Sequence, residues 1–368
     1  MPTADELIGP AAVAGLIDCL SGAAPQLGLP AVHLAARSLA GSGLRARNDL
    51  LRDALLTDLP PAYGDFEDVV RAVLGDPGFT GWMIWPVTEA AAARALASQD
   101  PDAFERVLSL LADLTPRLTA EFALRRLLNA DLDRALAVIT EWTAHPDAHV
   151  RRLASEGTRP RLPWAVRVRP LAERPEATLP ILHALYRDES EYVRRSVANH
   201  LNDLSHTAPD VAVHTATAWA AAPGEHTLKT VRHAMRTLVK QGHPEALALL
   251  GFTPPPALTV TGPVLGASEV RVGGELLFEV TLLNESTEEA RLAIDYAIHF
   301  RRANGTTAPK VFKLTTRTLA PGQSAALSRR HSFRPITTRT FYPGDHAIEI
   351  QVNGVSRGTA PFVLTAPA

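Results

Sequence analysis

The sequence predicts two classes of structure in one chain, an all-α repeat array followed by a separate all-β domain, and three observations predict it. Val150-Arg151-Arg152 recurs as Val193-Arg194-Arg195 and, degraded, as Val231-Arg232-His233, at offsets of 43 and 38 residues. Periods near 40 with a pair of helices in each are the pattern of HEAT or armadillo-like solenoids, whose equivalent faces line up along a curved surface. Apolar residues fall at i, i+3 and i+4 up to residue 252 and then alternate with period two. Between the two regimes stand three consecutive prolines, Pro254, Pro255 and Pro256. The expected domains are residues 1–252, a proline-rich linker 253–258, and a β-sandwich 259–368.

Taken in order, GPAAVAGLIDCL, LPAVHLAARSLAG, LRARNDLLRDALLTDLP and DFEDVVRAVLG read as helices separated by Gly, Pro and acidic turns. GFTGWMIWPVTEAAAARAL crowds Trp82, Met83 and Trp85 ahead of an Ala-rich helix, which suits an anchor between helical layers better than a cofactor box. DPDAFERVLSLLADL and TAEFALRRLLNADLDRALAVITEW continue the paired pattern, with Asp and Pro near the starts. Glu121 opens the second of these, where a carboxylate ordinarily complements the helix dipole. Two helices carrying the Val-Arg-Arg triplet follow. Beyond the prolines, LTVTG, ELLFEVTLLN, RLAIDYAIHFRR, KVFKLTTRTL, AALSRRHSF, HAIEIQVNG and APFVLTA alternate as seven strands. Seven short strands in about 110 residues predict an immunoglobulin-like sandwich without its cysteine pair, with Tyr342 placed for a tyrosine-corner-like bond.

Composition narrows the chemistry. At 368 residues, 46% hydrophobic and 21% charged, the chain can bury two or three cores. The start MPTADELIGP lacks the basic and apolar segments of a signal peptide, and no uninterrupted apolar run of spanning length is read. The expectation is a cytoplasmic protein with no membrane partner. The lone Cys19 rules out an intrachain disulfide and a cysteine zinc site, the 13 His show no HExxH, and no metal is expected. No Lys occurs between residues 1 and 228, which argues against Schiff-base chemistry there.

The net charge of -2 conceals a division. Residues 1–150 hold 11 Lys and Arg against 20 Asp and Glu, whereas residues 151–242 hold 14 against 9 and residues 259–368 hold 12 against 9. A basic middle in a near-neutral chain points to a localised phosphate-binding face. Arg152 and Glu156 share one helix stripe, and Arg195, Asn199 and Asp203 share another. By the repeat register Arg152, Arg195 and His233 point the same way, either toward a ligand or simply toward solvent. Between the two helices, EGTRPRLPWAVRVRPL sets Trp164 among Arg159, Arg161, Arg167 and Arg169. That grouping suits stacking on a base or sugar while neighbours hold phosphates, or alternatively a Trp wedged between repeats.

The segments FTGWMIWP, VRRLASEGTRPRLPW, SEYVRRSVANHLNDLS and VRHAMRTLVKQGHPEAL resemble the AlkC branch of the AlkC/AlkD DNA glycosylases, over essentially residues 1–252. The sandwich resembles the immunoglobulin-like domain that some AlkC proteins carry. The resemblance implies that Glu121, Glu156 and Asp203 form a catalytic acidic cluster with Trp164 pressing on the damaged nucleotide. It further implies a kinked duplex approached without base extrusion, with the sandwich clasping the DNA through loops such as 301–305. By register, Arg152, Arg159, Arg194, Arg195 and Arg232 are the candidates for holding the phosphate backbone.

The chemistry suits this set. A base alkylated at ring nitrogen 3 is already cationic and departs without a general acid. The reaction then needs stabilisation of positive charge on the sugar and an oriented water, which carboxylates supply. The expected function is hydrolysis of the N-glycosidic bond of 3-methyladenine and 3-methylcytosine in double-stranded alkylated DNA, by a monomer without cofactor. Two alternatives stay open from sequence: a non-catalytic reader of damaged or branched DNA, and a protein-interaction scaffold.

Overall fold

A computed structural model describes residues 3–252, 257–336 and 339–367. It divides into two compact units, Met1–Ala212 with Ala218–Ala234, and Val213–Thr217 with Met235–Ala368.

The first unit opens with α1 (Ala4–Leu7), α2 (Pro10–Ala23), α3 (Pro30–Arg37), α4 (Leu44–Asp58) and α5 (Tyr63–Leu74). It continues through α6 (Ile84–Leu96), α7 (Ala103–Leu114), α8 (Glu121–Ala130), α9 (Leu132–Glu141) and α10 (Ala148–Gly157). It then includes α11 (Arg169–Glu173), α12 (Leu179–Leu185), α13 (Glu191–Leu204) and α15 (Thr227–Ala234), while α14 (Pro209–Ala221) straddles the division. Helices α4, α6, α8, α10, α13 and α15 pack in that order as one row, and α5, α7 and α9 form a second row behind them. This is the two-layer stacking that the Val-Arg-Arg period demands, because no single pair can bury its own apolar stripe. Each pair contributes Leu, Val and Ala to a continuous core, for example Leu108 and Leu111 of α7, Leu124 and Leu127 of α8, and Leu153 of α10, all fully buried. Gly157, the last residue of α10, is a close-packing position, since a Cβ there would lie 2.5 Å from a Leu124 methyl.

Ala4–Ala23 is by length and composition apolar enough to cross a membrane, although Asp5, Glu6 and Asp18 keep it from being an uninterrupted apolar run. It is interrupted at Gly9-Pro10 between α1 and α2, and Val13, Leu16, Cys19 and Leu20 are buried in the helical unit.

The second unit is a sandwich of β1 (Leu258–Leu265), β2 (Glu269–Arg271), β3 (Glu275–Asn284), β4 (Ala290–Arg301), β5 (Thr307–Leu319), β6 (Ser324–Ser332), β7 (Gly344–Val352) and β8 (Val355–Thr365). One sheet runs β1-β3-β6 and the other β2-β8-β7-β4-β5. Their alternating inner residues, among them Phe278, Tyr296, Phe300, Ile348 and Phe333, form one core. The eighth strand, β2, was not legible because three residues are too few to alternate; it pairs parallel with β8. Tyr342 is 37% exposed, and it is its main-chain carbonyl that ties this corner, accepting from the His346 ring at 3.0 Å.

The division between units falls at Ala234, ahead of the expected boundary at 252. Residues 253–256 of the expected linker lie outside the described residues. The reason for the earlier division is that α16 (Arg236–Lys240) and α17 (Pro244–Leu249) belong with the sandwich. Leu247 and Phe252 pack on Ala293, and the Arg291 guanidinium lies over the Phe252 ring. Gly242 after α16 and Gly354 in the β7–β8 turn, both at positive φ, let two backbones touch; a Cβ on Gly354 would sit 2.1 Å from the Gly242 Cα.

Candidate active site

The candidate site lies along the row of helices α8, α10 and α13. Glu121 is the first residue of α8, Arg152 and Glu156 stand one turn apart on α10, Arg159 follows the end of α10, and Asp203 is near the end of α13. Their side chains form a single alternating ladder. Glu121 Oε2 accepts from Arg152 at 2.6 Å and from the Thr119 hydroxyl at 3.0 Å. Arg152 reaches Glu156 at 3.5 Å, and Arg159 donates to Glu156 Oε1 at 2.6 Å. Arg159 closes the row with a two-pronged contact to Asp203, at 2.8 and 3.2 Å. Three carboxylates and two guanidiniums leave a net charge of one negative, held where Glu121, Glu156 and Asp203 are 9%, 6% and 6% exposed.

The environments push the acids apart. Burial drives the Asp203 carboxyl upward, and the Arg159 bonds do not fully offset it. Burial acts on Glu156 in the same sense, but Arg152, Arg159 and the Ser196 hydroxyl, which donates to Oε2 at 2.6 Å, hold it below the usual carboxylate range. Beneath the ladder, His200 bonds the Ser155 carbonyl and the Thr178 hydroxyl, and full burial lowers it to about 3, so it remains neutral.

Trp164 lies in the loop between α10 and α11. It is 80% exposed and occupies left-handed backbone at φ 61, an uncommon place for a bulky residue. The loop is held by its carbonyls. Arg125 of α8, wholly buried, donates to those of Gly157, Arg159 and Val166. Asn129 brackets Arg167 and Arg169 through their main chain, and Arg45 of α4 donates to the Trp164 carbonyl at 2.8 Å.

The candidate phosphate-binding arginines separate into three kinds. Arg152 and Arg159 are locked into the ladder. Arg194 departs from the expectation: it is 7% exposed and donates to the carbonyls of Asp188 and Glu189, six and five residues back. Arg151 makes the same pair of contacts, to His145 and Pro146, again six and five residues back. In the two full Val-Arg-Arg triplets the first arginine therefore clamps the turn entering its own helix. Arg195 and Arg232 are exposed. His233 donates to the Asn199 side-chain oxygen at 3.0 Å, which keeps the second positions of the last two triplets on one side. The sequence reading missed Ser196, Arg125, Asn129 and Arg45. Only the Ser196 position, one turn before His200 on a face already carrying Asp203, left any trace in the pattern.

The fold is that of a helical protein with an appended immunoglobulin-like β-sheet domain, and its buried acidic ladder lies in the helical part. Residues 259–366 match the family described as the C-terminal Ig-like domain of uncharacterised protein YhaZ. The uncharacterized protein YhaZ of Bacillus subtilis (strain 168) is 37% identical over 259 residues, 70% of this chain and 72% of that protein. The solved structure of the Pseudomonas fluorescens alkylpurine DNA glycosylase AlkC, bound to DNA containing an abasic site analog, superposes with a TM-score of 0.89 at 31% identity, covering 99% of this chain and 100% of that one. The chain belongs to the AlkC-type DNA glycosylase family, with a C-terminal immunoglobulin-like domain.

Proposed function

We propose that this protein is a monofunctional glycosylase that hydrolyses the N-glycosidic bond of cationic alkylated bases, 3-methyladenine and 3-methylcytosine, in duplex DNA. The observation that carries the proposal is the buried ladder with its excess negative charge, on the helix row that the Trp164-bearing loop leaves after α10. As the bond to the base stretches, its electron pair moves onto the base and neutralises it, and positive charge grows on the sugar. The fixed carboxylates stabilise that charge without reorganising. Water attacks the sugar carbon and transfers its proton to a carboxylate. Asp203 is the better acceptor, because burial raises its basicity whereas two guanidiniums and a hydroxyl already saturate Glu156. Glu156 and Glu121 then act through their charge.

No extrusion of the base into a deep apolar hole is required by this arrangement, in contrast to glycosylases that flip their target. Trp164 presses on the damaged nucleotide while Arg195 and Arg232 meet the backbone. In the sandwich, a cavity of about 560 Å³ lined by Arg301, Arg302, Lys310 and Arg339 and by no carboxylate supports a second contact to DNA. The enzyme would act as a monomer in the cytoplasm, needing no cofactor.

The test is release of free base from duplexes carrying one defined lesion, alongside binding of the same duplexes across a salt series. Release with wild-type protein at catalytic concentration supports the proposal. Salt-dependent binding without any release would instead identify a non-catalytic reader of damaged DNA.

A further inference from the structure

We infer that Arg45 is a positioning residue for the glycosylase reaction, one that holds Trp164 in its working orientation from a helix 119 residues away in sequence. The inference rests on the reading that Trp164 meets the lesion. Three observations converge on it. The Trp164 backbone lies at φ 61, from which an unrestrained tryptophan would relax to negative φ and carry its ring away. The Arg45 guanidinium grips the carbonyl of that same residue at 2.8 Å. The guanidinium is itself fixed, lying over the Trp85 ring at 5.1 Å and the Phe122 ring at 5.7 Å, with Glu89 at 3.9 Å.

The rest of the arrangement assigns the role to Arg45 in particular. Arg125 and Asn129 hold the loop on either side of Trp164, through the carbonyls of 157, 159, 166 and 167, whereas Arg45 bonds the carbonyl of residue 164 itself. Arg125 is fully buried, so its loss would disturb the fold as well as the loop. Arg45 has a side chain 39% exposed and grips a carbonyl, which leaves the indole free to contact a ligand. Phe122, on which it rests, directly follows the ladder residue Glu121. One guanidinium thus references the aromatic platform to the helix that begins the carboxylate row. Lysine would keep the donor, whereas methionine keeps only the stem and the aromatic contact.

The experiment uses the full chain labelled with 5-fluorotryptophan, whose five tryptophans give five ¹⁹F resonances, Trp164 being assigned with Trp164→Phe. In Arg45→Met the Trp164 resonance is expected to shift and broaden while those of Trp142 and Trp219 stay in place. This readout needs no substrate, so it tests the anchor even if the protein releases no base. In single-turnover base release, Arg45→Met is expected to lose roughly tenfold in rate, the effect of one charge-assisted hydrogen bond, with little change in affinity for abasic-analogue DNA. Arg45→Lys should return to within about threefold of wild type. The double variant Arg45→Met/Trp164→Ala should be no slower than Trp164→Ala alone. An unmoved Trp164 resonance overturns the inference. So do losses that multiply in the double variant, or an Arg45→Met effect confined to the salt dependence of DNA affinity, which would make Arg45 a phosphate contact.

Discussion

Replacing Asp203 with asparagine probes the charge of the ladder while keeping its shape. The wild-type row carries one excess negative charge; Asp203→Asn leaves two carboxylates facing two guanidiniums and no excess. A unit charge lost from about 4 Å beside a developing cation, at an effective dielectric near 20, removes roughly 4 kcal/mol of transition-state stabilisation. That corresponds to a loss of about 10²- to 10³-fold in the chemical step. The assay is single-turnover release of 3-methyladenine from a duplex with one lesion, at pH 7 and saturating enzyme. Stability is expected to move differently. Burial raises the folded-state pKa of Asp203 above its ordinary value of 3.8. Between those two values the folded state binds the proton more tightly, so ionising this group costs stability as pH rises and the cost is fully present above the folded value. Asp203→Asn removes that cost but also takes from the buried Arg159 guanidinium the carboxylate that holds it, so the two effects oppose and the unfolding free energy at pH 7 should change by no more than about 2 kcal/mol. A rate within about threefold of wild type would refute the assignment.

Other expectations follow from the same geometry. Glu156 has the opposite sign, its folded pKa being depressed, so it contributes stability above its unfolded value near 4.5 that is lost as pH falls through the folded value. Glu156→Gln should cost about 2 kcal/mol in urea unfolding at pH 7, with the gap to wild type closing in acid; a pH-independent gap would contradict this. Adjacent arginines should part company: Arg194→Met costs about 2 kcal/mol by freeing two carbonyls, whereas Arg195→Met leaves stability alone and lowers the salt slope of DNA affinity by about 1. Trp164→Gly should gain about 1 kcal/mol of stability by relieving the left-handed backbone while losing base release; a drop in melting temperature would count against that strain. Gly354→Ala should destabilise the sandwich unit by at least about 2 kcal/mol, since its Cβ would meet the Gly242 backbone, and an unchanged urea midpoint would count against that contact.

Periodicity alone determined much of this protein. A triplet recurring about every 40 residues specifies stacked helical pairs, alternation after the prolines specifies a sandwich, and the spacing of Arg152 to Glu156 places them one turn apart on any helix. These are properties of local geometry, and they survive without knowledge of what lies opposite. Tertiary structure decided which member of each arginine pair is used for what. Neighbours in a helix point about 100° apart, and only the packed turn before each helix makes Arg151 and Arg194 clamps while leaving Arg195 free. It also decided that Arg152 and Arg159 neutralise carboxylates, because Glu121 and Asp203 reach them from helices 31 and 44 residues distant. Arg45, Arg125 and Asn129 were invisible for the same reason: a side chain that bonds a remote carbonyl responds to no pattern in its own segment.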